Sequence, residues 1–242
     1  MQDSKQVAGI DGCRDGWCIA LFSTSECIIR TVRSLHEIIE LIRHAGITLI
    51  DIPLGLTDQN FSRTIETSMR TVLPPEKKSS VFTPPCREAL SATNYEEAAQ
   101  HNLLVTGKKI SLQSYYIMPK IREADELLNQ HPHLRDKMYE SHPEICFQYL
   151  NDNNPLSQSK KTKAGIDERL TILEQYRHGI HETYDYFRRT FTRSEAQSDD
   201  LVDALCLGLT AHLAGCNGLQ FIEDSANLDS RGIPVKIAYY ET

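Results

Sequence analysis

The sequence lacks the features of a membrane protein, a secreted protein and a metal-knuckle protein. No apolar run approaches the roughly 20 residues that a membrane-spanning helix needs. The first residues, MQDSKQVAGI, lack the apolar core of a signal peptide. The seven cysteines are an odd number and include no Cys-x-x-Cys pair, which argues against a metal knuckle and a disulfide framework. We therefore expect a cytoplasmic protein with no membrane partner.

An excess of positive charge is also missing. The 26 Lys and Arg residues stand against 33 Asp and Glu residues, and the net charge of −7 argues against indiscriminate nucleic-acid binding. The charge is uneven, because residues 57–123 carry nine basic and seven acidic residues and residues 156–193 carry eight and five. No internal repeat or low-complexity linker divides the 242 residues, so we expect one domain over 1–242.

The hydropathy pattern predicts a mixed α/β fold. Three short apolar runs joined by turns, at 7–11, 17–22 and 27–32, predict an antiparallel meander. Ser34 and Glu37 then form a capping box for an amphipathic helix, and 47–56 predicts a buried strand. A strand, a helix and another strand beside the meander favour a right-handed parallel crossover.

Residues 57–135 differ from this pattern, since they are polar and mostly helical in periodicity. We expect them to form an insertion that lies over one end of the sheet. The segment contains several prolines, namely Pro74, Pro75, Pro84, Pro85 and Pro119. After it, 137–150 predicts a strand followed by a short helix, and 167–180 predicts a helix. Two apolar runs near the C-terminus, LQFIED and PVKIAYY, predict a closing hairpin or edge.

The segment SDDLVDALCLGLTAHLAG, residues 198–215, predicts a helix that is apolar nearly all round and hence buried. Its first turns nevertheless contain Asp199, Asp200 and Asp203. Burying an unpaired ionised carboxylate is costly, so these acids need compensation. Asp199 and Asp200 could simply favour the helix N-terminus through its dipole. Asp203 lies deeper and is harder to explain in that way.

Two further acids end predicted strands. If the strands of Asp11 and Asp51 are parallel neighbours, both side chains lie at one sheet edge, where open α/β sheets bind ligands. Each also has a structural explanation, Asp11 as a turn former before Gly12 and Asp51 as a cap of the loop that follows. Gathered with Asp203, however, they would repel one another. The pattern therefore predicts a Mg²⁺ or Mn²⁺ ion, rather than a lysine, as their compensation.

Six segments occur in a fixed order, namely GIDGCRDGW, IDIPLGL, SSVFTPPCREAL, GKKISLQSYYIMPKIREAD, YESHPEICF and DDLVDAL. They resemble the successive blocks of the domain-of-unknown-function family 429, whose members are predicted nucleases of the ribonuclease H-like fold. Asp15 departs from the family's first block, which commonly has glycine there. The resemblance implies an α/β fold with a mixed five-stranded sheet in the order 3-2-1-4-5. Helices would flank this sheet, with a helical insertion after strand four.

For function, the resemblance implies a metal-dependent phosphodiester hydrolase that acts on nucleic acid or a nucleotide. Asp11, Asp51 and either Asp203 or Asp200 would hold Mg²⁺ or Mn²⁺ and form the catalytic centre. One cation would activate a water and a second would stabilise the leaving oxygen.

Glu140, His142 and Glu144 lie at alternate positions, so an extended backbone would place them on one face. Glu144 or Glu140 could be a further metal ligand or catalytic carboxylate. His142 could be a general base or merely a hydrogen-bonded strand histidine.

The insertion supplies candidates for phosphate contacts. Most of its basic residues are expected to be solvated surface charge, but Arg87 and Lys120 fall within the family blocks and are the preferred substrate-binding residues. Gln113 could hydrogen-bond to a base. The full set of cations considered is Arg63, Arg70, Lys77, Lys78, Arg87, Lys108, Lys109, Lys120 and Arg122.

Two other functions stay open on the sequence. One is a nucleotide or nucleic-acid binding module that retains the fold without catalysis. The other is a phosphotransferase, because the sugar-kinase and actin superfamily shares the strand topology and the segment GIDGCRDG loosely resembles its first phosphate loop. Such enzymes normally need a second copy of the domain, and this chain holds one.

Overall fold

A seven-stranded mixed sheet forms the centre of the computed structural model, which describes residues 5–241 except for the side chains of residues 216 and 217. The strands are β1 (Val7–Cys13), β2 (Gly16–Phe22), β3 (Cys27–Val32), β4 (Thr48–Ile50), β5 (Met138–Ser141), β6 (Gln220–Leu228) and β7 (Pro234–Tyr239). Their order in the sheet is β3-β2-β1-β4-β5-β7-β6. Strands β1, β4, β5 and β7 run parallel, whereas β2 and β6 are antiparallel to their neighbours.

Helices cover both faces of this sheet. They are α1 (Ile39–His44), α2 (Ile65–Val72), α3 (Tyr95–Thr106), α4 (Leu112–Gln130), α5 (Pro143–Leu150), α6 (Lys163–Tyr176), α7 (Ile180–Thr190) and α8 (Ser198–Asn217). Alternate residues of β1 and β2 face opposite sides, with Ile10 and Ile19 packing among α1, α3 and α4. Cys18 and Ala20 pack instead among α5 to α8. The two apolar cores therefore follow from the period of two along each strand.

The five predicted strands occur in the predicted order 3-2-1-4-5, but the expectation of a five-stranded sheet is wrong. The C-terminal hairpin extends the sheet, because β7 pairs in parallel with β5 through Glu140 and Ile237. Val235 and Ile237 of β7 are fully buried, so this strand is internal, and β6 forms the edge of the sheet opposite β3. Within residues 5–241 no helix combines the length and hydropathy needed to cross a membrane.

Residues 57–135 are helical in large part, but they do not form one layer. Helices α3 and α4 pack with α1 over one face of the sheet. Helix α2 packs instead against β6 and β7, because its buried Ile65 and Met69 meet Val235 and Ile237. The capping box of Ser34 and Glu37 is present, and it starts a 3-10 turn that leads into α1.

Helix α8 lies unusually close to β1. A Cβ atom placed on Gly9 would be 2.0 Å from the backbone nitrogen of Gly208 and 2.4 Å from the carbonyl oxygen of Ala204. A Cβ placed on Gly208 would in turn be 2.7 Å from the ring of Phe22. The two glycines thus allow helix backbone and strand backbone to touch, which seats the N-terminal turns of α8 over the end of β1.

We predict that Gly9→Ala lowers the free energy of unfolding by at least about 1–3 kcal/mol, because the added methyl group meets rigid helix backbone and α8 has to move. Gly215→Ala is the matched control, since a Cβ there meets nothing within 4 Å and alanine is the better helix former. Urea denaturation of both variants measures the difference. Equal midpoints for Gly9→Ala and the wild type would contradict the close packing.

Candidate functional site

Two aspartates lie side by side at the carboxyl-terminal edge of the parallel strands. Ile10 of β1 pairs in register with Ile50 of β4, and the backbone nitrogen of Asp51 donates to the carbonyl oxygen of Ile10 at 2.9 Å. Asp11 and Asp51 are therefore neighbours across two adjacent strands. Asp203 reaches the same edge from the second turn of α8, where it is 1% exposed.

The three carboxyl groups perturb one another. Burial raises the pKa of Asp11 well above its usual value, and the negative charges of Asp203 and Asp51 raise it further. Burial also raises the pKa of Asp51 to about 7, with Lys160 opposing and Asp203 adding to the shift. Within residues 5–241 the carboxylates of Asp11 and Asp51 have no ion-pair partner. This cluster is short of positive charge.

Lys160 supplies part of that charge from the loop between α5 and α6. Its Nζ atom lies 2.5 Å from Oδ2 of Asp203, and attraction to Asp203 raises the pKa of the ammonium group, with Asp11 and Asp51 adding to the effect. The expectation that no lysine compensates the helix acids is therefore wrong. The other oxygen of Asp203, Oδ1, is buried and has no hydrogen-bond partner among the described residues.

The first two acids of α8 have structural partners. Asp199 forms an ion pair with Lys161. Oδ2 of Asp200 accepts a hydrogen bond from the backbone nitrogen of Gln197 at 2.8 Å and so caps the helix. The capping contact occupies one oxygen of Asp200, which was predicted as a possible ligand, and leaves Asp203 as the acid that the helix does not need for itself.

The prediction that Glu140, His142 and Glu144 share one face of a strand is wrong. Strand β5 ends at Ser141, and Pro143 occupies the first turn of α5, where its fixed φ angle and missing N–H favour a helix start. Glu144 consequently lies on the first turn of a helix. All three side chains still line one cavity together with Asp11 and Asp51, because β5 adjoins β4 in the sheet.

Glu140 and Glu144 are both held by arginines. The guanidinium group of Arg63 donates to both oxygens of Glu140, at 2.7 and 2.9 Å. Arg169, which is fully buried, donates to Glu144 at 2.5 Å, and Nζ of Lys77 lies 3.3 Å from the same carboxylate. Burial alone would raise the pKa of Glu144, but the two cations outweigh it and keep the pKa low. Glu144 therefore stays ionised.

His142 is neutral at pH 7, because burial lowers its pKa to about 4. Its Nε2 atom lies 3.3 Å from the hydroxyl oxygen of Ser80. Its Nδ1 atom is buried and has no partner among the described residues.

The cavity that these groups line has a volume of about 280 Å³. Gln113, which the sequence predicts to bind substrate, is among the residues that line it. The insertion also adds apolar side chains to its wall. The cavity is therefore lined by charged groups at the sheet edge and by apolar side chains of the insertion. Besides the acids and Lys160, its lining includes Pro53, Met69, Ser80, Val81, Phe82, Ile117 and Pro143.

Arg87 and Lys120, predicted to contact phosphate, do not line this cavity, although the side chain of Lys120 lies beside Gly12 at its wall. Arg87 makes ion pairs with Asp58, Asp125 and Asp229, and it therefore ties the insertion to the turn before β7. Lys120 donates to the carbonyl oxygen of Gly16 and its Nζ lies 4.5 Å from the centre of the Trp17 ring. Both side chains therefore have partners within the protein.

The acids of this cluster have the right chemistry for a divalent cation, but their present arrangement is not that of a metal site. Among the side chains that the structure describes, no three His, Cys, Asp or Glu residues are already arranged to hold a metal ion. The donors are nevertheless carboxylate oxygens, which Mg²⁺ and Mn²⁺ prefer, and one of them is the unpartnered Oδ1 of Asp203. The donor chemistry fits, while Lys160 stands among the carboxylates.

These features define a mixed α/β protein with a buried carboxylate cluster at the carboxyl-terminal edge of its sheet. The chain belongs to the DUF429 family, since the model of that family, described as a protein of unknown function, matches residues 9–226. Comparison with curated proteins and with solved structures gave no match.

We predict that Arg87→Gln lowers the free energy of unfolding by about 3–5 kcal/mol, because it leaves the buried carboxylate of Asp229 without its cation and removes an ion pair from Asp58 and from Asp125. Arg231→Gln is the matched control. Arg231 is half-exposed and lies 3.4 Å from Asp125, so its removal should cost less than about 1 kcal/mol. Chemical denaturation compares the two variants. Unchanged stability of Arg87→Gln would restore the phosphate-contact interpretation.

A second prediction concerns the pH dependence of stability. Histidine in an unfolded chain titrates near pH 6.5, whereas His142 in the folded protein has a pKa of about 4. The unfolded state binds the extra proton between these values, so stability from neutral His142 is complete above pH 6.5 and is lost as the pH falls toward 4. The loss is about 1.4 kcal/mol per pH unit.

His142→Gln should therefore remove this loss, and its unfolding free energy should fall less steeply than that of the wild type between pH 6.5 and 4.5. His178→Gln, at a fully exposed position, should follow the wild-type curve. Parallel curves for His142→Gln and the wild type would show that His142 is not held neutral.

Proposed function

We propose that this protein is a metal-dependent phosphodiester hydrolase of the ribonuclease H-like kind, and that it acts on nucleic acid. The observation that carries the proposal is the meeting of Asp11, Asp51 and Asp203 from β1, the end of β4 and α8. The resemblance noted in the sequence assigns metal ligands to a strand-one Asp, a strand-four acid and a last-helix acid. The order of the first five strands agrees with that assignment.

Asp11, Asp51 and Asp203 would hold the cation. Two of the three have no ion-pair partner among the described residues, and the third keeps one oxygen free. The ammonium group of Lys160 has to leave Oδ2 of Asp203 for the cluster to close around a metal. Lys160 can do so because its side chain is one-third exposed and lies on a loop.

When bound, Mg²⁺ or Mn²⁺ would supply an activated water and neutralise charge on the leaving oxygen. The protein's own groups would orient the substrate. Lys160, once released, can donate to a phosphate oxygen in the same cavity. Glu144 stays ionised through Arg169 and Lys77 and can orient a water molecule. The unpartnered Nδ1 of neutral His142 can accept a proton there.

A second candidate is a binding module without catalysis. The Lys160–Asp203 ion pair favours it, because a lysine that neutralises the cluster permanently removes the need for a metal. The two candidates differ in one property that needs no substrate, namely whether a divalent cation binds the folded protein through these acids.

We predict that Mn²⁺ raises the melting temperature of the wild type. A ligand that binds only the folded state stabilises it by about 2.7 kcal/mol at a hundredfold excess over its dissociation constant. Asp51→Asn should lose this shift and, in EDTA, be no less stable than the wild type, because it removes a repelled carboxylate without an ion-pair partner. Asp203→Asn should also lose the shift, but it should be less stable in EDTA, since Lys160 loses its partner.

Asp136→Asn is the control, because Asp136 is exposed and lines no cavity described above. It should keep the full shift. Cleavage of DNA and RNA by the wild type with Mn²⁺, absent in Asp51→Asn, completes the test. A wild type whose melting temperature does not respond to Mn²⁺ or Mg²⁺ would contradict the hydrolase and support the binding module.

A further inference from the structure

We propose that the ligand of this site is single-stranded nucleic acid, lying as an extended strand across three adjoining cavities of which the carboxylate cavity is the middle one. The inference rests on the proposed function, because it names the substrate of the same site. It depends on the adjacency of the three cavities, on the charges of the two outer cavities and on the depth of the acids near the middle one.

The three cavities adjoin one another, because neighbouring cavities share residues of their walls. The middle cavity of about 280 Å³ shares Val81, Phe82 and Gln113 with a second cavity of about 870 Å³. It shares Lys160 with a third cavity of about 430 Å³ beside the N-terminal turns of α6 and α8. A ligand that fills only the middle cavity would leave the two larger cavities beside it empty.

The third cavity carries cations suited to phosphate oxygens. Lys163 and Arg193 are exposed and make no ion pair within residues 5–241. Arg188 donates from Nε to the hydroxyl of Ser198 at 3.0 Å, which leaves its terminal nitrogens for a ligand. Lys161 is also present, although Asp199 pairs with it. The acids of this cavity are Asp167, Asp185 and Asp199, against the basic residues Lys160, Lys161, Lys163, Arg188 and Arg193.

The second cavity repeats this arrangement at the other end. Lys108 and Lys109 are exposed at its rim and have no ion-pair partner among the described residues. The remaining charges there, Asp58 and Arg63, are already taken by buried ion pairs. Phe82 is partly exposed in the wall and offers a ring on which a base can stack.

A single strand suits this path better than a duplex. The acids lie deep, since Asp11 is 8% and Asp203 is 1% exposed, and apolar side chains of the insertion line the middle cavity together with Asp11 and Asp51. A duplex holds its phosphates on a stiff cylinder and cannot push one of them into such a cavity. A single strand can bend at every nucleotide, so it can place one phosphate at the acids while neighbouring phosphates contact the cations at either end.

The test is equilibrium binding in EDTA, which excludes cleavage and needs no metal. Fluorescently labelled single strands of DNA and RNA, of about 4 and about 16 nucleotides, are compared with a blunt duplex by anisotropy. We expect the longer single strand to bind at least tenfold more tightly than either the short strand or the duplex.

Charge variants then locate the contacts. Lys163→Gln combined with Arg193→Gln, and separately Lys108→Gln combined with Lys109→Gln, should each weaken binding of the long strand. Each pair should also make the affinity less dependent on salt. The slope of log binding constant against log salt concentration should become shallower by about 0.7 for every phosphate that the variant no longer neutralises. Arg30→Gln combined with Arg33→Gln is the matched control, because both residues are exposed and line none of the three cavities. Equal melting temperatures would show that all three pairs fold.

Three results would overturn the inference: a duplex that binds as tightly as the long strand, an affinity that does not depend on length, or a salt slope that the two end pairs leave unchanged. Each is separate from failure of the proposed function. A Mn²⁺ response without binding of long strands would leave a hydrolase of small nucleotides. Length-dependent binding without a Mn²⁺ response would leave a single-strand binding module.

Discussion

The contact between helix α8 and strand β1 determines where the acids of this protein meet. Because Gly9 and Gly208 carry no side chains, the helix backbone rests on the strand backbone. Asp11 follows Gly9 by two residues on β1. The close contact brings Asp203 of the helix to the same edge of the sheet as Asp11. A larger residue at Gly9 would lift the helix and move its carboxylate away from the strand ends. The chemistry at the sheet edge thus depends on the absence of a methyl group in the core.

The charges around that edge are balanced in two different ways. Glu140 and Glu144 are paired with buried arginines, since Arg63 donates to both oxygens of Glu140 and Arg169 donates to one oxygen of Glu144. These pairs hold the loop after β4 and helix α5 in place. Asp203 is paired instead with a lysine on a loop, which is a flexible point charge and partly exposed. The arginine pairs frame the cavity, and the proposed function requires the Lys160–Asp203 pair to open when a cation binds.

Much of this arrangement could be predicted from hydropathy and spacing. The positions of Asp11 and Asp51 follow from where two apolar runs end, and parallel register makes them neighbours. The sequence also shows that Asp203 needs a compensating charge, because it is an acid within an apolar, buried helix. Lys160, by contrast, is one of many lysines in a polar loop, and nothing local distinguishes it. Arg87 resembled a phosphate ligand because its three carboxylate partners come from distant segments that only folding brings together.

The sequence by itself determined the strands, the buried last helix, the family and the acids that end the strands, because these depend on periodicity and on neighbours close along the chain. The tertiary structure decided which charges pair, that a C-terminal strand joins β5, and that three cavities adjoin at the acids. Such properties depend on distances between residues far apart in the chain. A single sequence contains no direct record of those distances, since many pairings of its charges are compatible with the same local pattern.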